Sequence, residues 1–293
     1  MTTNEKLGTY GVFDIGSNSV RALVYSGGKT LFRGLVTTRL GEGENVKGEI
    51  TPEASERTIN GIKKLLISVV ACSPDEIFAF ATEAVRSAKN GSEFVEKVKA
   101  ETGITVDVMD GETEGETGLS GAVGNGDGGI IDIGGASAEI AVKKDGKRVY
   151  SHSLPLGAVR LRDLCGEDED KLERFINGRI GEYGNVPAAD YYAVGGTATS
   201  LCACFLRLET YDPERVNGTV MTVGDVEKAY REIKSRTVAK RISELKINEK
   251  RAEIIVGGVY LLKRIMTEFG IEKVTASEND NMLGYLRTKG LAE

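Results

Sequence analysis

The chain has 293 residues, 40% of them hydrophobic and 28% charged, with a formal net charge of −6 at pH 7. That length predicts two domains, and the acidic balance excludes a general nucleic-acid binder, which needs a basic face. No run nears the roughly 18 apolar residues of a membrane span, and the polar start Met1-Thr2-Thr3-Asn4-Glu5-Lys6 lacks signal-peptide character, so a cytoplasmic protein without DNA or membrane partners is expected.

Residues 11–21 read as a strand, a turn and the start of a second strand: Gly11-Val12-Phe13 breaks at Asp14-Ile15-Gly16-Ser17-Asn18-Ser19 and resumes at Val20-Arg21. A carboxylate, a permissive glycine and small polar side chains at one hairpin tip suit a metal-bound phosphate. The second strand continues to residue 25, Ser26-Gly27-Gly28-Lys29 turns tightly, residues 30–38 form a third strand, and 39–50 form a polar loop. Thr51-Pro52-Glu53 then supplies a cap, a first-turn proline and an acid for a helix to about residue 72, with Ile59, Ile62, Leu65, Leu66 and Val69 on one face. A strand at 76–81 ends in the charged segment 82–91, the position past a strand's carboxyl end where α/β proteins place ligands. Ser92 is expected to cap a helix through residue 100, and 105–109 to form a strand that closes a first α/β domain near residue 110.

Gly111-Glu112-Thr113-Glu114-Gly115-Glu116-Thr117 opens a helix that buries Leu119, Ala122 and Val123. Helical spacing puts Glu112 and Glu116 on one face and Glu114 elsewhere. Acids in a first turn also favour the helix dipole by about 0.3–1 kcal/mol each, a reason for their presence that needs no chemistry. The opening pattern then recurs: Gly129-Ile130-Ile131-Asp132-Ile133-Gly134-Gly135-Ala136-Ser137-Ala138-Glu139 repeats the apolar run, the Asp-Ile-Gly and the return to alternation. A hairpin at 129–155, a helix from about 157, a strand at 191–194 and a helix after Gly195-Gly196-Thr197 follow. Helices near 222–245 and 249–269, a strand at 273–276 and a closing helix from 279 complete the chain. Two such halves, related by a pseudo-twofold, would face each other across an interdomain cleft suited to a phosphate chain. The expected domains are 1–115, joined by the closing helix 281–293, and 116–280, with hinges near 111–120 and 277–281.

Cys72, Cys165, Cys202 and Cys204 lack zinc-ligand spacing and read as buried thiols. The lone histidine, His152, sits in an alternating strand segment and reads as structural; its solitude excludes a histidine-rich metal site, and a Ser-His-Asp triad is not expected.

Five motifs in register, Phe13-Asp14-Ile15-Gly16-Ser17-Asn18-Ser19-Val20-Arg21, Ala81-Thr82-Glu83-Ala84-Val85-Arg86, Gly111-Glu112-Thr113-Glu114, Asp132-Ile133-Gly134-Gly135-Ala136-Ser137-Ala138-Glu139 and Val194-Gly195-Gly196-Thr197-Ala198-Thr199, resemble the exopolyphosphatase and guanosine pentaphosphate phosphohydrolase family. Ser153-Leu154-Pro155-Leu156-Gly157-Ala158-Val159-Arg160-Leu161 is similar as well, so the resemblance spans nearly the whole chain. It implies an α/β fold of two ribonuclease H-like domains of the actin, hexokinase and Hsp70 type. It also implies that Glu114 and Glu139 handle the attacking water, and that Asp14, Asp132 and Glu139 serve Mg²⁺ or another divalent cation. Phosphate binding falls to Asp14, Gly16, Ser17, Asn18, Ser19, Arg21, Arg86, Gly134, Gly135, Ala136, Ser137, Gly195, Gly196, Thr197 and, by likeness to a phosphate-facing position, Arg251. The physics agrees: bare turn amides form anion nests, arginine forks grip phosphate, and carboxylates are hard ligands for Mg²⁺. For Arg21 and Arg86 the plain alternative is an ion-paired surface residue.

The chain departs from the family pattern at Ala136 and Ala138, where glycine and threonine are usual, at Asn217 in place of histidine, and in the ending Ser277-Glu278-Asn279-Asp280-Asn281-Met282-Leu283-Gly284-Tyr285. The long forms' C-terminal helical domain is absent from the sequence, which tilts the expected substrate from guanosine pentaphosphate toward inorganic polyphosphate. The expected activity is release of terminal phosphate by metal-assisted water attack, and a homodimer is compatible with it. A sugar or small-acid kinase of the same superfold and a non-hydrolytic sensor of nucleotide or polyphosphate are the alternatives. Glu114 in its Gly-Glu-x-Glu setting, together with Arg86, separates the hydrolase from the kinase; the two alanines motivate the sensor.

Overall fold

The computed structural model describes residues 8–42, 48–279 and 281–292. The chain divides into two compact units, 1–110 with 281–293, and 111–280. In the first, β1 (Thr9–Ile15), β2 (Ser19–Ser26) and β3 (Lys29–Thr37) form a meander, followed by α1 (Pro52–Ala71), β4 (Glu76–Ala81), α2 (Glu83–Arg86), α3 (Gly91–Thr102) and β5 (Asp107–Val108). The sheet order is β3-β2-β1-β4-β5, with β1 antiparallel to β2 and parallel to β4. β1 lies at the centre, and its run Gly11 to Ile15 is buried throughout, as expected of a strand covered on both faces.

Thr51 caps α1 as its sequence predicts, accepting from the Ala54 N–H at 3.2 Å. Two expectations differ. The helix predicted to start at Ser92 starts at Gly91, and Asn90, in the cap position, instead clamps Ile50 through its amide, accepting from Ile50 N–H at 2.8 Å and donating to Ile50 O at 2.9 Å. Contact with the preceding chain selects that start: a Cβ on Gly91 would lie 2.0 Å from Val85 O. The strand expected at 105–109 pairs only at Asp107 and Val108, against Phe80 and Ala81.

The second unit contains α4 (Gly111–Ala122), β6 (Gly128–Ile133), β7 (Ala138–Lys144), β8 (Lys147–Leu154), α5 (Ala158–Cys165), α6 (Glu169–Asn177), β9 (Tyr191–Val194) and α7 (Gly195–Phe205). There follow α8 (Pro213–Val216), β10 (Val220–Thr222), α9 (Val223–Lys234), α10 (Val238–Ser243), α11 (Glu249–Ala252), α12 (Ile255–Glu268) and β11 (Lys273–Ala276). Its sheet, β10-β11-β9-β6-β7-β8, repeats the first sheet and adds β10, an antiparallel edge strand that the sequence did not disclose. The helix expected over 222–245 is two helices, since Thr237 caps a second start by accepting from Lys240 N–H at 3.4 Å. The helix expected over 249–269 is likewise divided, between α11 and α12.

The closing helix α13 (Asn281–Thr288) belongs to the first unit, where Met282 and Leu286 are fully buried against Val12, Leu23 and Phe80. Tyr285 fixes its register by donating to Asp107 Oδ2 at 2.6 Å. His152 lies on β8 with its ring edge-on to Tyr183, 5.8 Å between centroids. The four cysteines are free thiols, and burial pushes Cys202 and Cys204 up to about 11. Among the described residues no helix is long and apolar enough to cross a membrane.

Candidate active site

The first turn is closed by Gly16 N–H donating to Ser19 O at 3.1 Å. Behind it, Ser17 O accepts from Gly41 N–H at 2.9 Å, and Asn18 O accepts from Thr38 and Arg39 N–H at 3.1 and 2.9 Å. In a trans peptide the N–H points opposite the C=O of the same unit. The amides of Asn18 and Ser19 therefore face away from residues 38–41, toward the hairpin tip. Asp14, the penultimate residue of β1, is buried, 2% exposed, and Arg21, its ladder partner on β2, donates to it.

The second turn repeats this construction. Gly134 N–H donates to Ser137 O at 3.0 Å, while the carbonyls of Gly134 and Gly135 accept from the Ala158 and Val159 N–H groups at 2.9 and 2.7 Å. Ala136 O accepts from Gly157 N–H at 3.1 Å and from Arg160 Nε at 2.9 Å. By the same reasoning the Gly135, Ala136 and Ser137 amides face the other way, as an anion nest requires. The approach demands a glycine at 157, where a Cβ would lie 2.2 Å from Gly135 O. Ala136 keeps its backbone donor and buries its methyl, so this departure leaves the nest intact.

Asp132 and Glu139 are ladder partners on β6 and β7, 7% and 1% exposed, and Ser153 Oγ donates to Glu139 Oε1 at 2.6 Å. Asp132 adjoins the start of α7: Gly195 takes φ +80°, and a Cβ there would lie 2.5 Å from Asp132 Oδ1. Arg251 covers the next residue, its Nη2 1.9 Å from where a Gly196 Cβ would stand. A carboxylate, a guanidinium and two bare backbone units thus share one helix N-terminus, where the dipole favours anions. Thr197 Oγ1 donates to Ile133 O at 3.2 Å and is fully buried, which gives that side chain a structural task.

Glu114 is buried on α4, while Glu112 and Glu116 are exposed and both pair with Arg148, so the three acids separate as helical spacing predicts. Arg86 is held by Glu83 and by the carbonyl of Met109. The first unit thus carries Asp14, Gly16, Ser17, Asn18, Ser19, Arg21 and Arg86, and the second carries the remaining expected site residues. Asn217, which stands where the family has histidine, accepts from Glu278 N–H at 3.0 Å and secures the chain after β11. Ser153 and Arg160 carry no role legible in the sequence beyond their place in the family-like stretch 153–161.

The sequence model of the Ppx/GppA phosphatase family matches residues 21–280. The chain belongs to this family. It is 27% identical to the bifunctional 3-dehydroquinate synthase/phosphatase of Fusobacterium nucleatum, over 92% of this chain and 45% of that protein, so it spans less than half of that relative. It is 27% identical to exopolyphosphatase 2 of Mycobacterium tuberculosis over 92% of this chain and 95% of that one. The Aquifex aeolicus Ppx/GppA enzyme structure superposes with a TM-score of 0.79 at 28% identity, covering 96% of this chain and 99% of that one. An exopolyphosphatase structure from Cytophaga hutchinsonii shares the fold, with a TM-score of 0.84 at 22% identity over 97% and 100% of the two chains. Ppx/GppA membership places the chain among phosphatases of the two-domain, actin-like type, and these matches give the kinase and sensor alternatives no support.

Proposed function

We propose that this chain releases the terminal phosphate from inorganic polyphosphate or guanosine pentaphosphate by attack of water. The observation that carries the reading is the pair of turns whose Ser17, Asn18, Gly134, Gly135 and Ala136 carbonyls are engaged from behind, leaving amide edges for phosphate oxygens. Arg21 and Arg86 in the first unit and Arg251 in the second add guanidinium donors suited to phosphate. Glu114 and Glu139 orient the water and accept its proton as its oxygen bonds to phosphorus and the bridging oxygen departs.

The residues fit Mg²⁺. Among the described residues no three His, Cys, Asp or Glu side chains gather closely enough to hold a metal ion unaided, but Mg²⁺ uses one or two carboxylates with water and substrate phosphates. Asp132 and Glu139 form such a pair, and the glycine at 195 leaves room beside Asp132. Asp14 serves as a further carboxylate. When bound, the ion neutralises charge on the transferring phosphate.

Polyphosphate is the favoured substrate, guanosine pentaphosphate the second, and a cytoplasmic homodimer completes the proposal. Phosphate release with Mg²⁺ from short polyphosphate, long polyphosphate, guanosine pentaphosphate and ATP tests it. Release from either of the first two classes or from guanosine pentaphosphate is expected; no release from any substrate overturns the reading.

A further inference from the structure

The first turn depends on a segment outside every motif. Residues 38–41 supply the three N–H groups that engage the carbonyls of Ser17 and Asn18. Arg39 reaches Asn18 by adopting a left-handed backbone, φ +52°, a conformation that residues with a Cβ hold only when their surroundings impose it. Gly41 packs closely enough that a Cβ there would lie 3.2 Å from Ser17 Cβ.

One guanidinium bridges the segment. Arg57, on α1, donates through Nε to Thr38 O at 3.0 Å and through Nη2 to Arg39 O at 3.3 Å and Glu42 Oε2 at 2.9 Å. The two carbonyls belong to the two residues whose amides hold Asn18. A planar fork can span these acceptors, whereas a lysine ammonium on its flexible stem cannot hold the same spacing. The Arg57 and Glu42 side chains are 44% and 45% exposed, so the ion pair itself adds little to folding. The consequence of the contact falls on turn geometry.

We infer that Arg57 is a positioning residue for phosphate binding: it holds residues 38–42 in the conformation, left-handed at Arg39 alone, that fixes the Ser17–Asn18 and Asn18–Ser19 peptide planes with their N–H groups presented to the ligand. The inference rests on the reading of this turn as a phosphate site. The second turn needs no such remote part, because Arg160 and the start of α5 brace it directly.

The test uses the full chain with Mg²⁺ and tripolyphosphate, measuring calorimetric affinity, KM and kcat of phosphate release, and the thermal midpoint. Arg57→Ala is expected to weaken affinity and raise KM about tenfold, the effect of one misaligned hydrogen bond to an anion, with kcat changed less and the midpoint nearly unmoved. Arg57→Lys should recover a minor part. Adding Arg39→Gly to Arg57→Ala should restore affinity severalfold, because glycine holds a positive φ without support. Wild-type affinity and KM in Arg57→Ala overturn the inference, as does a double variant no tighter than Arg57→Ala. A large fall in midpoint together with kcat would make Arg57 a folding residue and overturn it equally. A wild-type protein that neither binds nor cleaves tripolyphosphate rejects the proposed function itself, a result separable from any difference between variants.

Discussion

Asp132 and Glu139 face each other across the second hairpin at the ladder position that Asp14 and Arg21 occupy in the first. The duplication kept the aspartate and reversed the charge of its partner. In the first hairpin the pair neutralises itself; in the second, two carboxylates stand side by side, nearly fully buried. A divalent cation bound beside both would offset the repulsion between them.

Glu139→Gln should therefore raise stability in metal-free buffer while lowering turnover by about 10²–10⁴, the usual range for loss of a general base. The expected gain is about 1 kcal/mol, or roughly 2–4 °C in a chain of this size. Thermal melts with and without Mg²⁺ check the origin of the effect. Mg²⁺ should raise the wild-type midpoint more than that of the variant, and equal rises would remove Glu139 from the ion's surroundings.

The neighbouring glycines of α7 should separate fold from binding. Gly195→Ala forces a side chain into φ +80° and against Asp132 Oδ1, costing roughly 1–3 kcal/mol by backbone strain alone. Gly196→Ala meets the mobile end of Arg251 and should leave the midpoint intact while weakening phosphate binding by about 10–100-fold, the loss of a hydrogen bond from a charged group. Calorimetry and melting curves on the two variants distinguish these outcomes; a Gly196→Ala protein with unaltered affinity would exclude Arg251 from phosphate binding.

Glu114 and Glu116 make a second contrast, two residues apart on α4. Glu116 is exposed and 3.6 Å from Arg148, so Glu116→Gln should leave kcat within about twofold and stability within about 0.5 kcal/mol, as for most surface changes. Glu114→Gln should lower kcat by about 10²–10⁴ without unfolding the protein. Initial rates with Mg²⁺ and short polyphosphate decide the matter, and undiminished release by Glu114→Gln would sink its assigned role.

α13 should be essential to the first unit. Leu286→Ala removes a fully buried side chain from the face formed by Val12, Leu23 and Phe80, with an expected loss of about 2–5 kcal/mol in urea unfolding. Tyr285→Phe removes only the bond to Asp107 and should cost about 1 kcal/mol.

The thiols give a pH-dependent prediction. With burial raising Cys202 and Cys204 from 9.0 to about 11, their thiolate fraction at pH 8 is on the order of one in a thousand. Alkylation of the native protein should spare both and accelerate toward pH 11. The raised values stabilise the fold fully below pH 9, where the unfolded thiols are still protonated, and this contribution is lost as pH climbs from 9 toward 11. Urea midpoints falling over that interval, and falling less in Cys202→Ala, would bear this out.

Much of the candidate site's local geometry was legible because its signals are local. The Asp-x-Gly turns announce themselves by glycine and small polar residues, and helical spacing alone separates Glu114 from Glu112 and Glu116. The limits of the elements were less legible. The strand expected at 105–109 shrank to two residues because pairing is set by its neighbour, and Asn90, at the cap position, turns its side chain to clamp Ile50, 40 residues away. Nothing local in Arg57 marks it as a brace, since its three acceptors lie 15–19 residues back along the chain.

What the sequence determined by itself was the duplicated plan, two hairpins with acidic, glycine-rich tips, because each tip is built from consecutive residues. What stands opposite Glu139 was decided only in three dimensions. The turn at Asp145-Gly146 pairs Lys144 with Lys147, a register that would carry His152 opposite Glu139. A bulge after Val142 shifts the ladder by one residue and brings Ser153 there instead. β3 enters its own hairpin with the corresponding irregularity, after Val24. A one-residue slip exchanges the faces of a strand, so it is the bulge, a property of two paired strands, that gives the buried carboxylate a hydroxyl donor and turns the histidine toward Tyr183.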